Sequence, residues 1–198
     1  MTGIIVLWLL WCLLHSALIA RTVTGRIDRL PPPWPGAYKL AYNAFSLVTL
    51  LPLAWISHSS SQKPIVLPLW FTLLQALLLV YALLLFAGGA RQYSLADFSG
   101  WSQWQRYRRG EATINPEPLH TDGILRHIRH PWYAAALALL WAFPLTDLNL
   151  VIRLILSIYI VAGTWLEERK LAITYGERYR AYARATPRFI PWKLFKRN

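Results

Sequence analysis

The chain has 198 residues, of which 56% are hydrophobic and 15% charged, whereas an average globular domain is about 45–50% apolar and about 25% charged. Its charge is strongly basic, since 21 Lys and Arg residues against 9 Asp and Glu residues give a net charge of +12. The basic residues lie between long apolar runs rather than in a soluble patch, which excludes a nucleic-acid-binding domain and indicates an integral membrane protein.

Five apolar runs follow one another along the chain, and a transmembrane helix needs about 17–25 mainly apolar residues. The runs are Ile4–Ala20, Leu40–Ile56, Val66–Gly88, Trp132–Leu145 and Leu150–Leu166. The fourth run has only 14 residues, which is short for a full crossing of the bilayer. Four residues separate it from the fifth run, so the last two runs predict a tight helical hairpin. The expected fold is therefore all-α, a polytopic membrane helix bundle of about five transmembrane helices.

The distribution of Lys and Arg predicts the orientation of these helices. Segments 21–39, 91–130 and 167–198 carry four, six and nine of these residues, whereas 57–65 carries one and 146–149 none. The positive-inside rule places the basic segments in the cytoplasm. We therefore expect an N-terminus outside, a C-terminus inside and a location in a prokaryotic inner membrane.

Polar residues of types suited to binding or catalysis cluster at the two ends of the expected hairpin that share one membrane face. The segment Arg129–Tyr133 opens the fourth run, and Glu167-Glu168 follows the fifth. Pro131 suits a first helical position, and the backbone N–H groups after it favour an anion. Cationic groups and carboxylates at one place predict a site for a zwitterionic ligand.

A series of spaced motifs identifies a resemblance over about residues 118–191. The motifs are Leu119-His120-Thr121-Asp122-Gly123, Arg129-His130-Pro131-x-Tyr133, Glu167-Glu168-x-x-Leu171, Tyr175-Gly176-x-x-Tyr179-x-x-Tyr182 and Pro187-Arg188-Phe189-Ile190-Pro191. In this order they resemble the superfamily of membrane methyltransferases that includes isoprenylcysteine carboxyl methyltransferase and phospholipid methyltransferases.

Three further motifs in the N-terminal half are similar to a particular branch of that superfamily. They are His15-Ser16, Tyr42-Asn43 and Asp97-Phe98-x-Gly100-x-x-Gln103, and they resemble the NnrU-like and methanethiol S-methyltransferase-like branch. The resemblance implies an N-terminal three-helix membrane region over residues 1–90. It also implies a methyltransferase core over residues 91–198, made of a cytoplasmic connector, the hairpin and a basic tail.

The resemblance implies a methyltransferase that takes S-adenosylmethionine as cofactor and transfers the methyl group to a small or lipidic acceptor, a carboxylate, thiol or amine, reached from the bilayer. We expect Arg129 and Glu167 to be catalytic, with Arg129 nearest the acceptor. The residues expected to bind the cofactor are Gly123, His130, Tyr133, Glu167 and Glu168. Basic groups suit the carboxylate of the cofactor, and acidic groups suit its ammonium or its ribose hydroxyls.

Two other functions stay open from the sequence. Membrane sterol reductases have a similar His-Pro-x-Tyr motif and use NADPH, although two carboxylates in the site would repel its phosphates. A non-catalytic accessory protein with the same fold is the other alternative. The spacing of His120, His127 and His130 fits no zinc template, so we expect no metal, and we expect the bilayer rather than nucleic acid as a partner.

Overall fold

The computed structural model describes residues 1–60, 62–111 and 119–195, and helices make up most of these ranges, with no strand among them. The helices are α1 (Thr2–Ile19), α2 (Arg21–Ile27), α3 (Trp34–Ser59), α4 (Leu69–Ala90), α5 (Leu95–Ser99), α6 (Trp101–Arg108), α7 (Pro131–Trp141), α8 (Asp147–Tyr175) and α9 (Glu177–Ala185). Two short 3-10 helices, Gly123–Arg126 and Trp192–Phe195, complete the described structure. The expectation of an all-α fold is confirmed.

Four helices, α1, α3, α4 and α8, are long and apolar enough to cross a membrane, which makes the chain a multi-pass integral membrane protein. Helix α7 has 11 residues, about 16 Å at roughly 1.5 Å per residue, so it is shorter than the apolar run that predicted it. Pro144 explains the early end, because proline disfavours the helical conformation of the residue before it.

Helix α8 extends beyond both ends of the apolar run that predicted it. It begins after Thr146, whose hydroxyl accepts a hydrogen bond from the Asn149 backbone N–H at 3.2 Å. The Asn149 side chain accepts in return from the Thr146 backbone N–H at 2.8 Å, which completes a capping box. At the other end Gly176 has a φ of +58°, a conformation that favours glycine and stops the helix. Glu167-Glu168 therefore lies inside α8 rather than at its end.

The chain divides into two compact units, and the first comprises residues 1–63 and 94–115. In this unit a row of polar contacts joins α1 to α3, with donors three residues apart on one face of α1. Trp8 Nε1 donates to Ser57 Oγ at 2.9 Å, and Trp11 Nε1 donates to Thr49 Oγ1 at 3.0 Å. Since hydrocarbon offers no other partner for such groups, these bonds fix how α1 faces α3.

His15 continues this row one turn further along α1. Its Nδ1 lies 3.0 Å from Ser46 Oγ and its Nε2 lies 2.6 Å from the Tyr42 hydroxyl. The Trp11 ring stacks on the imidazole with centroids 4.8 Å apart. Both ring nitrogens of His15 thus have partners within the unit, which accounts for a polar residue at this depth in an apolar helix.

Helices α5 and α6 pack against the first turns of α3 in the same unit. Asn43 Nδ2 donates to the carbonyl oxygens of Phe98 at 3.1 Å and Ser99 at 3.0 Å. Gly100 has a φ of +91°, and a Cβ atom there would lie 2.8 Å from the Leu40 backbone nitrogen. The turn between α5 and α6 therefore requires glycine, and the N-terminal motif residues from two parts of the sequence meet here.

The second unit comprises residues 64–93 and 116–198, and in it α7 packs antiparallel to both α4 and α8. At one end of α4 a Cβ atom on Gly89 would lie 2.2 Å from Trp132 Nε1, and at the other end the Gln75 amide donates to the Phe143 carbonyl. The buried core between these helices consists mainly of small residues, including Ala82, Ala134, Ala135 and Ala138. The functional boundary expected between residues 90 and 91 stays a prediction.

Candidate functional site

The segment that precedes α7 is held in place by the chain that follows α9. The backbone N–H of Arg129 donates to the Pro187 carbonyl at 2.8 Å, and that of His130 donates to the Arg188 carbonyl at 3.1 Å. The Tyr182 hydroxyl of α9 donates to the Leu125 carbonyl at 2.7 Å. The entry to α7, helix α9 and the segment after α9 therefore converge.

Glu168 is the residue on which the cations of this region converge. Its Oε1 accepts from Arg129 Nε at 3.0 Å and Nη2 at 2.7 Å, and lies 3.1 Å from His130 Nε2. Its Oε2 accepts from Arg188 Nη2. The Glu168 side chain is only 12% exposed, and a carboxylate at such a position is stable only when it is paired and hydrogen-bonded.

Arg129 binds more than the carboxylate. Its Nη1 donates to the Ala183 carbonyl at 2.7 Å and also to the Thr186 carbonyl. All three nitrogens of its guanidinium therefore contact acceptors of the protein, and the group ties α8 to the end of α9. Its expected position nearest the acceptor substrate stays a prediction.

His130 occupies the position directly before α7 and is buried, with 7% of its surface exposed. Its ring stacks on Tyr133 with centroids 5.6 Å apart. Burial lowers the pKa of His130 below its usual value of 6.5, and the nearby carboxylates of Glu167 and Glu168 offset part of that effect. The imidazole is therefore neutral at pH 7, and its contact with Glu168 requires the proton on Nε2.

Two buried atoms of charged side chains beside this cluster have no hydrogen-bond partner among the residues that the structure describes. One is Glu167 Oε2, an acceptor, and the other is Arg188 Nε, a donor. Tyr133 lies close enough to Glu167 to interact with its carboxylate. An unused donor and an unused acceptor of opposite charge thus border the same cluster, which suits a ligand that carries both charges.

Two residues of the site had no role assigned from the sequence. Arg188 stands in one of the quoted motifs, and the hydrogen bond to Glu168 raises the pKa of its guanidinium. Tyr93 follows α4, and its ring lies 5.0 Å from that of Trp132. Burial, with the charge of Glu167, raises the pKa of Tyr93 to about 12, so its hydroxyl is a neutral donor near that carboxylate.

The structure brings together Arg129, His130, Tyr133, Glu167 and Glu168, as the hairpin predicted. Gly123 differs from them, because none of the described contacts joins it to the cluster. With a φ of +55°, it packs on Gln92, whose Nε2 would lie 2.0 Å from an added Cβ atom. Its expected role in cofactor binding stays a prediction.

Known proteins were compared with the chain in three ways. No family model matches it, and no solved structure does. A methanethiol S-methyltransferase of Crocosphaera subtropica is 28% identical over 192 residues, which cover 92% of this chain and 71% of the relative. A methanethiol S-methyltransferase 1 of Bradyrhizobium diazoefficiens is 36% identical over 42% of this chain and 29% of the relative. One of Pseudomonas deceptionensis is 42% identical over 36% of this chain and 28% of the relative.

The chain is a membrane methyltransferase. The relatives confirm the resemblance to the isoprenylcysteine carboxyl methyltransferase-like group that the spaced motifs indicated. They also confirm an enzyme and its reaction class, and a methyltransferase requires a methyl donor.

Proposed function

We propose that this methyltransferase takes S-adenosylmethionine as its methyl donor and methylates a small thiol at the cluster around Glu168. The names of the relatives support the thiol, since all three are methanethiol S-methyltransferases. The observation that carries the proposal is the pair of buried, unpartnered atoms, Glu167 Oε2 and Arg188 Nε, at one cluster.

The residues present fit the amino-acid end of S-adenosylmethionine. That end carries a carboxylate and an ammonium group, and the cluster offers a donor on Arg188 and an acceptor on Glu167 that are otherwise unsatisfied. A buried polar atom without a hydrogen-bond partner is costly, so a ligand that satisfies both atoms gains affinity. We assign to the cofactor site His130, Tyr133, Glu167 and Glu168, with Gly123 at the start of the first 3-10 helix.

When bound, S-adenosylmethionine supplies a methyl group on a sulfonium, and its departure as a neutral thioether needs no acid. The reactive form of a thiol is its thiolate, so a thiol acceptor has to lose a proton. We propose Glu167 as the group that accepts it, through the carboxylate oxygen that does not bind the ammonium group of the cofactor. Arg129 stays our candidate for the residue nearest the acceptor.

We propose that the site faces the cytoplasm of a prokaryotic cell and that the acceptor reaches it from the bilayer. The segments flanking the site are the most basic of the chain, with six Lys or Arg in residues 91–130 and nine in 167–198. The positive-inside rule therefore supports a cytoplasmic cluster. The donor is water-soluble, whereas a small thiol dissolves in the membrane.

The test uses the purified protein in lipid nanodiscs, with S-adenosylmethionine that carries a deuterated methyl group. Methanethiol, a phospholipid amine, a prenylated cysteine and a fatty acid are offered as separate acceptors, and products are measured by mass spectrometry. We expect labelled dimethyl sulfide from methanethiol. Product from one of the other acceptors, with none from methanethiol, would exclude the small thiol.

Two variants connect the activity to the site. Glu167→Gln keeps the size of the side chain but removes the base, so we expect turnover to fall by about 10²-fold or more. Glu177→Gln is the matched control, because Glu177 is an exposed carboxylate on α9 that pairs with Arg184. Equal turnover of both variants would place the chemistry elsewhere.

The cofactor is tested by thermal unfolding in detergent with S-adenosylhomocysteine or NADPH. A ligand at about 100 times its dissociation constant adds about 2.7 kcal/mol of stability, so the cofactor product is expected to raise the unfolding temperature of the parent. His130→Ala is expected to bind S-adenosylhomocysteine about 10- to 150-fold more weakly, which corresponds to losing one charge-assisted hydrogen bond. Stabilisation by NADPH alone would favour the reductase alternative.

A further inference from the structure

The second unit contains an apolar groove between α7 and α8, at some distance from the Glu168 cluster. It has a volume of about 410 Å³, within the range of about 300–1,000 Å³ that small-molecule sites span. The residues that line it are Phe86, Ala136, Leu139, Leu140, Phe143, Arg153, Leu156 and Ile160. The α7 residues are spaced by three and four and the α8 residues likewise, so each helix contributes one face.

One charged side chain, Arg153, lies in this apolar lining. It is buried, with 8% of its surface exposed, and it stands in the second turn of α8. Its Nη1 donates to the Phe143 carbonyl at 2.7 Å and its Nη2 to the Pro144 carbonyl at 2.9 Å. These bonds use two of the five N–H groups of a guanidinium.

The charge of Arg153 has no counterion in the part of the chain that the structure describes, since both of its partners are neutral carbonyls. A cation inside a membrane segment is costly and usually pairs with an anion. Basic pockets between membrane helices are known to bind anionic headgroups. Arg153 thus needs an anion, and the groove beside it needs an apolar chain. One molecule that carries both would satisfy the two together.

We propose that this groove binds one anionic phospholipid, with an acyl chain along α7 and α8 and the phosphate at Arg153. Arg153 lies six residues after the start of α8, about 9 Å along the helix. That depth places a phosphate between the turn of the hairpin and the apolar lining. A zwitterionic lipid binds less well here, because its own cation opposes Arg153.

A purely structural role for Arg153 is the competing explanation, because its two hydrogen bonds also hold the turn between α7 and α8. The two roles differ in their requirements. Holding the turn needs donors alone, whereas lipid selectivity needs the positive charge and the empty volume beside it.

The test is native mass spectrometry of the delipidated protein with an equimolar mixture of phosphatidylglycerol and phosphatidylcholine of the same chains. The parent is expected to retain one phosphatidylglycerol in preference to phosphatidylcholine. Arg153→Gln keeps hydrogen-bond donors without the charge, and we expect its affinity for phosphatidylglycerol to fall by about 10-fold or more. Leu140→Trp keeps Arg153 but fills the groove, so it is expected to lower the retention of phosphatidylglycerol as well.

The matched control is Arg169→Gln, the same substitution further along α8, where the arginine is exposed and lies over the Trp165 ring. It is expected to bind phosphatidylglycerol as the parent does. Equal retention of the two lipids by the parent, or unchanged selectivity in both Arg153→Gln and Leu140→Trp, would overturn the proposal. A separate arm offers free oleate, and a preference for oleate over phosphatidylglycerol would overturn the choice of a phospholipid.

Discussion

Glu168 accepts hydrogen bonds from three side chains, the neighbours Arg129 and His130 and the distant Arg188, and Arg129 makes the most extensive of these contacts. Its guanidinium is 9% exposed and binds one carboxylate and two carbonyls. Lysine has a single ammonium group and cannot reproduce this planar arrangement. Arg129 therefore has a positioning role that can be separated from any contact with the acceptor.

We predict that Arg129→Lys lowers the free energy of unfolding by roughly 1.5–3 kcal/mol, the value of a hydrogen bond to a charged group. Thermal unfolding in detergent, with turnover measured in parallel, provides the test. Arg184→Lys is the control, because Arg184 is exposed and pairs with Glu177. A loss of turnover with unchanged stability would show that Arg129 acts on the acceptor alone.

His130 predicts a specific dependence of stability on pH. Its pKa in the folded protein is below the value of 6.5 that it has in the unfolded chain. Between these two pKa values the unfolded chain therefore binds a proton more readily than the folded protein does. Stability is therefore full above about pH 6.5 and is lost as the pH falls through the folded pKa, by at most about 1.4 kcal/mol per pH unit. Unfolding temperatures measured between pH 5 and 8 are expected to depend less on pH in His130→Gln. Parallel profiles of parent and variant would contradict a neutral, buried His130.

At the scale of helices, the hairpin explains why part of the site could be predicted from sequence. Two apolar runs with four residues between them return the chain to the same membrane face, which brings Arg129 and Glu168 together whatever the side-chain details. Arg188 and Tyr93 could not be placed in this way. Their positions depend on the backbone pairing of Pro187 with Arg129 and on the packing of α4 against α7, and neither is encoded in a local pattern.

The helix ends, too, depend partly on nearby residues and partly on contacts with distant ones. The early end of α7 follows from Pro144, which is visible in the sequence. The extension of α8 past Glu167 does not follow from apolar content, because charged residues stay helical here through contacts made by Glu168 with other segments.

Close packing of α4 on α7 depends on Gly89, where an added Cβ atom would lie 2.2 Å from Trp132 Nε1. We predict that Gly89→Ala lowers the free energy of unfolding by about 1–3 kcal/mol, the usual cost of overpacking. Gly163→Ala is the control, because no atom lies within 4 Å of a Cβ atom at that position of α8. Thermal unfolding of both variants measures the difference, and equal stabilities would contradict tight packing at Gly89.

At the scale of the whole molecule, the basic segments and the fold of the first unit predict one orientation. Helix α3 has 26 residues, about 39 Å in length. Ser60 follows its last residue, whereas α5 and α6 pack against its first turns through Gly100 and Asn43. Ser60 and Ser102 therefore lie at opposite ends of a membrane-spanning helix.

We predict that a cysteine at position 60 reacts with a membrane-impermeant reagent in intact cells, whereas a cysteine at position 102 reacts only after the cells are opened. Both variants are made in a Cys12→Ala background, because Cys12 is the single cysteine of the chain. Labelling is read as a mass shift on the purified protein. Protection at position 60 with reaction at position 102 would reverse the orientation.

The division of the chain into two interleaved units has a consequence for biosynthesis. The first unit needs residues 94–111, which are made after α4, whereas α4 belongs to the second unit and packs on α7. During synthesis α4 therefore enters the bilayer before α7 has been made, and until then lipids surround it. Its sequence is suited to this interval, because it is the most apolar of the four spans and contains no Asp, Glu, Lys or Arg. An acidic or basic substitution in α4 is thus expected to act first on insertion by the ribosome-bound translocon, before any contact of the finished protein is affected.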